Sequence, residues 1–120
     1  MTQECELSEY MRAVRRTHDS IVNDREQGEQ ALRRLLPIAL RDSGQSDRVA
    51  RLLLGCYNGR RFPFDLCNLR SLDYQIMIDC LAVLRMNANA AQEVHRYFEN
   101  GSAIFERMAT RFEDSEEVRQ

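Results

Sequence analysis

Apolar side chains recur along this chain at intervals of three and four residues almost from end to end, and no segment alternates with the period of two that marks a half-buried strand. The pattern predicts an all-α protein: a single compact domain of five or six helices packed around a buried central helix at about residues 71–87. In residues 1–24, Leu7, Tyr10, Met11, Val14, His18, Ile21 and Val22 share one face behind a Ser8 cap. Arg12, Arg15, Arg16 and Asp19 share the other, so this segment reads as an amphipathic helix with its apolar face, His18 included, packed inward. The polar run from Asn23 to Gly28 reads as a break. A second helix, from about Glu26 to Asp42, turns Ala31, Leu32, Leu35, Leu36 and Ala39 inward, and Pro37 either kinks it or restarts it.

Ser43 and Gly44 end that helix, and Ser46 serves as N-cap of the next, which carries Val49, Ala50, Leu52, Leu53 and Cys56 and closes at Asn58 and Gly59. The stretch RRFPFDLCNL reads as a packed loop, with Asp65 capping a short turn that holds Leu66 and Leu69. From about Ser71 to Asn87 the chain is apolar on most sides, which marks the buried central helix. Residues 26–87 form the core of the domain on this reading. Two further helices fill residues 89–113, one capped by Asn89 and the other by Ser102, and residues 114–120 form a frayed tail.

Composition narrows the class without naming an activity. The chain has 120 residues, 43% of them hydrophobic and 30% charged, with two prolines and five glycines, which suits one soluble helical domain. No apolar run reaches the roughly 20 residues of a membrane span, and the acidic opening is unlike a signal peptide, so a cytoplasmic location is expected. The four cysteines show no CxxC pair and no histidine at finger spacing; reduced, mostly buried thiols are expected, with no metal and no cofactor. Charge is unevenly placed: three acids and no base in residues 1–11, twelve arginines against seven acids in 12–70, and five arginines against nine acids in 71–120. Every base is arginine, whose planar fork suits carboxylate or phosphate.

Catalysis has little to stand on, and the chain reads as no enzyme. Neither GxSxG, HExxH, a P-loop nor GxGxxG occurs, and the two histidines stand alone, His18 packed and His95 exposed. Cys80 sits among Ile78, Leu81 and Val83, where a thiol is inert. Asp73 and Asp79 are six apart and point away from each other, so one reads as a cap and the other as an arginine's partner. The glycine turn at Gly44 could seat an anion on helix amides, but Ser46 and Asp47 compete for those amides, and a corner-turning role is favoured. Helix-turn-helix geometry over residues 31–58 would suit DNA or RNA, although VARLLLGCYNG is apolar on too many sides for a recognition helix. Protein binding is preferred, through Arg41, Gln45, Arg48, Arg51, Tyr57, Asn58, Arg60 and Arg61, onto a partner with an acidic patch. A homodimer is also compatible with the pattern.

The motifs themselves resemble a family. The turn Arg41–Ser46, the VAxxLL helix Val49–Asn58, the FDL of Phe64–Leu66, and Leu72 with Asp73 opening an apolar helix are similar to an uncharacterised family of small proteins encoded on bacterial plasmids and integrative mobile elements. The resemblance spans about residues 31–86. It implies a non-enzymatic binding protein of a mobile element that modulates a host or defence protein complex as an inhibitor, of the anti-CRISPR or antirestriction kind. A nucleic-acid-binding accessory factor is the alternative.

Overall fold

The computed structural model describes the backbone of residues 2–119 and the side chains of residues 3–113. It is all-α, with four α-helices and two short 3-10 turns: α1 (Thr2–Ala39), α2 (Gly44–Tyr57), a turn at Leu66–Ser71, α3 (Tyr74–Ala88), a turn at Val94–Tyr97, and α4 (Gly101–Arg119). No strand occurs among the described residues, and no helix is long and apolar enough to cross a membrane.

The expected break at Asn23–Gly28 does not exist. α1 is one helix of 38 residues, about 57 Å long at 1.5 Å per residue. Arg25, Glu26 and Gln27 in its polar middle are helix formers, and Gly28 is present for space and not for a turn. A Cβ at Gly28 would lie 2.2 Å from Cβ of Met86 and 3.0 Å from the carbonyl oxygen of Ala82, so only glycine lets α3 come this close. Nor does the helix restart at Pro37, which lies inside it. Pro37 and Arg33 are both exposed, so the carbonyl that loses its bond to the missing N–H faces water, where the loss costs least.

α3 runs antiparallel to α1. Arg25 donates to the carbonyl of Asn89 at 2.7 Å, Gly28 meets Met86, and Arg34 donates to both oxygens of Asp79 at 3.1 and 2.9 Å. This helix takes the place predicted at 71–87 and buries Asp79, Cys80, Val83 and Met86. Ile78 and Leu81 stay 38% and 41% exposed, so α3 shares the centre with α2. α2 is the best-covered element, with Val49, Ala50, Leu52, Leu53 and Leu54 at 2% exposure or less. From α4, Phe105, Met108, Ala109 and Phe112 complete the core.

Asp65 caps the turn after α2 as its spacing predicts, its Oδ1 accepting from the Cys67 amide at 2.9 Å. Phe62 and Phe64 pack partly against the core. The helix expected after Asn89 contracts to the turn Val94–Tyr97. α4 begins one residue before the predicted Ser102 cap, after Asn100 adopts a left-handed φ of 58°, a conformation that asparagine tolerates. α4 is helical through Arg119; the side chains of 114–120, where fraying was expected, lie outside the described residues.

The molecule measures 69 × 29 × 26 Å. Its long dimension comes from α1, whose N-terminal half projects from a body formed by the rest. Every described residue from Gln3 to Ser20 is exposed. The apolar face of the first segment therefore does not pack inward, and His18 on it is exposed as well.

Gly28→Ala tests the close approach. Helix propensity alone would favour alanine by about 1 kcal/mol, but the added methyl forces α3 off α1. We expect a net loss of about 1–2 kcal/mol in urea unfolding.

Candidate functional site

The corner between α1 and α2 is closed on itself. Ser43, with extended φ and ψ of −148° and 167°, is the N-cap of α2, in place of the predicted Ser46. Its Oγ accepts from the Ser46 amide at 3.1 Å, and its carbonyl accepts from the Asp47 amide at 3.1 Å. Ser46 is fully buried and shares a 2.7 Å hydrogen bond between hydroxyls with Ser43. Ser43 thus takes the Ser46 amide, and the Asp47 carboxylate in the same turn competes with an anion there.

α1 carries no basic residue in its last turn, and Arg111 of α4 supplies that charge from outside. Its guanidinium donates to the carbonyl of Ala39 at 2.8 Å, to that of Arg41 at 3.4 Å, and to the Asp47 carboxylate. One side chain satisfies the last carbonyl of α1, where that helix's dipole favours a cation, and pairs with the acid that the dipole of α2 favours in its first turn.

The far end of α2 is tied to α4 as well. Asn58 caps the helix, and its Oδ1 accepts from the amides of Arg60 and Arg61, both at 3.2 Å. Arg61 donates to both oxygens of Glu106, at 2.8 and 3.2 Å, and to Glu113. Tyr57 donates its hydroxyl to Glu106, and its ring packs against Phe105 and edge-on to His95 at 5.1 Å. The bonds from Arg61 and then Tyr57 hold the Glu106 carboxyl below the usual carboxylate range, and the Glu106 bond in turn raises Tyr57.

The eight residues expected to face a partner divide accordingly. Tyr57, Asn58 and Arg61 belong to the ties just described. Gln45 clamps the start of α3, donating to Asp73 Oδ2 at 3.0 Å and accepting from the Asp73 amide at 2.8 Å. Arg51 lies over the ring of Phe112 at 4.4 Å. Arg41, Arg48 and Arg60 make no side-chain hydrogen bond or ion pair among the described residues, and they are what remains of an outward-facing basic set.

A second surface went unnoticed in the sequence because its residues look like core. On the projecting arm of α1, Leu7, Tyr10, Met11 and Val14 are 60%, 67%, 63% and 51% exposed. Leu7, Met11, Val14, His18 and Ile21 follow a four-three spacing that continues as Arg25, Gly28, Leu32, Leu35 and Ala39. The same seam is therefore covered in the body and open on the arm. Element lengths carry the signal: α2 and α3, with 14 and 15 residues, can cover only about half of a helix that meets no strong breaker before Pro37.

Comparison with protein families gives a match over residues 29–113 to a family of unknown function, DUF7673. The chain belongs to the DUF7673 family. Neither curated proteins nor solved structures give a match. The DUF7673 segment is the packed body, and it starts one residue after Gly28, where α3 closes onto α1.

Within this DUF7673 body the groups with chemical potential fall into two sets, Cys80 with Asp79 and Cys56, and Tyr57 with His95 and Glu106. Cys80 is buried, and burial first, with Asp79 and Cys56 nearby, pushes its thiol up to about 12; burial pushes Cys56 up to about 11. Both stay protonated near neutral pH and are poor nucleophiles. Cys5 and Cys67 are exposed, so the thiols are not mostly buried as expected. His95, expected to be exposed, is half-buried, with Nδ1 enclosed and unpartnered. Asp79 is the partner of Arg34, one of the two roles their spacing suggested, whereas Asp73 stands at the N-cap position of α3 without a side-chain capping bond, its carboxylate accepting from Gln45. Among the described residues no group of three or more His, Cys, Asp or Glu side chains could hold a metal ion.

Two measurements test this network. Arg111→Met leaves the α1 carbonyls and Asp47 without their donor and should cost about 1–3 kcal/mol in chemical unfolding, and Arg111→Lys should recover only part because an ammonium cannot fork across three acceptors. For Glu106, whose folded pKa is depressed, the stabilisation is present above the ordinary carboxylate pKa and is lost as pH falls through the folded value. The gap in Tm between the wild type and Glu106→Gln should therefore close as pH drops from about 7 to about 3.

Proposed function

We propose that this protein is a non-enzymatic binding module in which the body around α2 and α3 is a scaffold and the projecting arm of α1 is the interaction element, taking a protein partner. The observation that carries this reading is the row of large apolar side chains, Leu7, Tyr10, Met11 and Val14, more than half exposed on one seam of one helix. An amphipathic helix offers such a seam to an apolar groove or to another helix. The raised cysteine pKa values support binding over chemistry.

The resemblance of residues 31–86 to proteins of plasmids and integrative elements supports a cytoplasmic setting and a role against a host or defence protein complex. Arg41, Arg48 and Arg60 are available as a secondary contact to an acidic patch. A DNA- or RNA-binding role for residues 31–58 has weaker support. α2, the candidate recognition helix, is the most buried element, and its polar side chains Gln45, Asp47 and Arg51 contact other parts of the chain.

Pull-down from extract of the bacterial host, read by mass spectrometry, tests the reading. Met11→Glu/Val14→Glu should lose the proteins that the wild type retains while its unfolding transition stays unchanged. Retention of the same proteins by both would remove the arm as the interaction element.

A further inference from the structure

We infer that the body carries a socket for one carboxylate, the side chain of an aspartate or glutamate on the protein partner, built on Arg51 between α4 and the loop after α2. The assignment rests on the reading that this protein takes a protein partner, and it makes no use of the arm. The socket is a cleft of about 60 Å³ lined by Arg51, Arg61, Phe62, Pro63, Phe112 and Glu113. Its apolar floor is the ring of Phe112, a residue of the core.

The two arginines of the cleft are differently engaged. Arg61 lies over the ring of Phe62 at 4.8 Å, and its terminal N–H groups are taken by Glu106 and Glu113. Arg51 lies over the ring of Phe112 at 4.4 Å and makes no side-chain hydrogen bond or ion pair among the described residues. Its neighbour one turn earlier on α2, Asp47, would be the natural partner but is held by Arg111. The ring contact places the guanidinium without using any of its donors. A fork held in this way has already lost much of the side-chain freedom that a surface ion pair otherwise costs.

Size and charge select the anion. Small-molecule pockets start at roughly 300 Å³, so this cleft takes a single functional group carried by something larger. The parallel N–H groups of a guanidinium match the two oxygens of a carboxylate. Glu113 stands on the rim, and although paired with Arg61 it opposes a phosphate dianion about twice as strongly as a singly charged carboxylate. Arg48, three residues before Arg51 on α2, and Arg60, beside Arg61, are two of the outward-facing arginines. An acidic patch that seats one carboxylate in the cleft therefore meets further cations around it.

The probe is N-acetylglutamate α-amide, read on the arginine Nε–Hε signals of the full chain by NMR. It should move the Arg51 signal along a saturating curve, while its neutral isostere N-acetylglutamine α-amide, and sodium chloride at equal ionic strength, leave the signal in place. No saturating change, or the same change with either control, overturns the socket. Tighter binding of inorganic phosphate, or of N-acetylglycine as a mimic of a chain terminus, overturns the side-chain carboxylate as its occupant. Glu116 follows Phe112 by four positions; if Glu116→Gln/Glu117→Gln moves the Arg51 signal with no probe present, the chain's own tail fills the cleft and an external occupant is overturned. In the host-extract pull-down, Arg51→Met should retain about tenfold less partner, and Arg51→Lys, which keeps an aliphatic stem over Phe112, should recover only part. Capture that depends on Met11 and Val14 but not on Arg51 overturns the socket and leaves the arm standing; capture that depends on Arg51 alone does the reverse, and capture that depends on neither removes both.

Discussion

The seating of α3 on α1 sets the rest of the molecule. An apolar seam alone would let two antiparallel helices slide by a turn at little cost, but two contacts of different kinds pin the register here. Gly28 admits Met86 at a distance no side chain would allow, and Arg34 grips Asp79, whose carboxylate is 7% exposed. A buried acid without its cation would cost several kcal/mol, so a register that separates Asp79 from Arg34 is disfavoured far more than one that only misaligns methyl groups. Gln75, one turn earlier on α3, adds a 3.3 Å bond to the same carboxylate. With the register fixed, Gln45 can reach Asp73 at the start of α3, which positions the corner of α2 in turn.

Part of the uneven charge of the sequence is resolved inside the chain. An excess of arginine in residues 12–70 and of acid in 71–120 suggests surfaces awaiting a partner, yet the two segments serve each other. Arg34 meets Asp79, and Arg61 meets Glu106 and Glu113. Arg111 works in reverse, an arginine of the acidic segment that reaches Asp47 and two carbonyls of the basic one. Arginine suits this use because one fork can satisfy acceptors on two elements at once. These ties lie mostly at the surface, where each contributes little alone, and their effect is to fix where α4 lies across α2.

What the sequence reveals follows from how local each feature is. The apolar period gives the helices, and the turn at Asp65 and the separation of Asp73 from Asp79 can be read from spacing because caps and helix faces depend on a few neighbouring residues. Gly28 is misread because a glycine that breaks a helix and a glycine that admits a second helix look alike until Met86 is placed opposite. Ser43 and Ser46 are three residues apart and either can cap; burial of Ser46, which depends on the packing of α2, decides between them. Arg111 could not be assigned at all, since its acceptors lie about 64 to 72 positions away in the chain and two of the three are backbone carbonyls with no sequence signature.

The arm is the case in which the periodic signal is right and the conclusion drawn from it is not. Leu7, Met11, Val14 and Ile21 do form a helical face, and by pattern alone that face belongs to the core. Whether it is buried depends on a quantity the pattern does not carry, namely how much helix the remaining chain can lay against it. α3 ends at Ala88, level with Arg25, and the chain then turns away toward Val94 and α4. The DUF7673 match, residues 29–113, coincides with the part of the seam that is covered. The open part has the same four-three spacing as the covered part. Leu7, Tyr10, Met11 and Val14 are therefore left exposed by the packing of the body, and the proposed role of the arm rests on them.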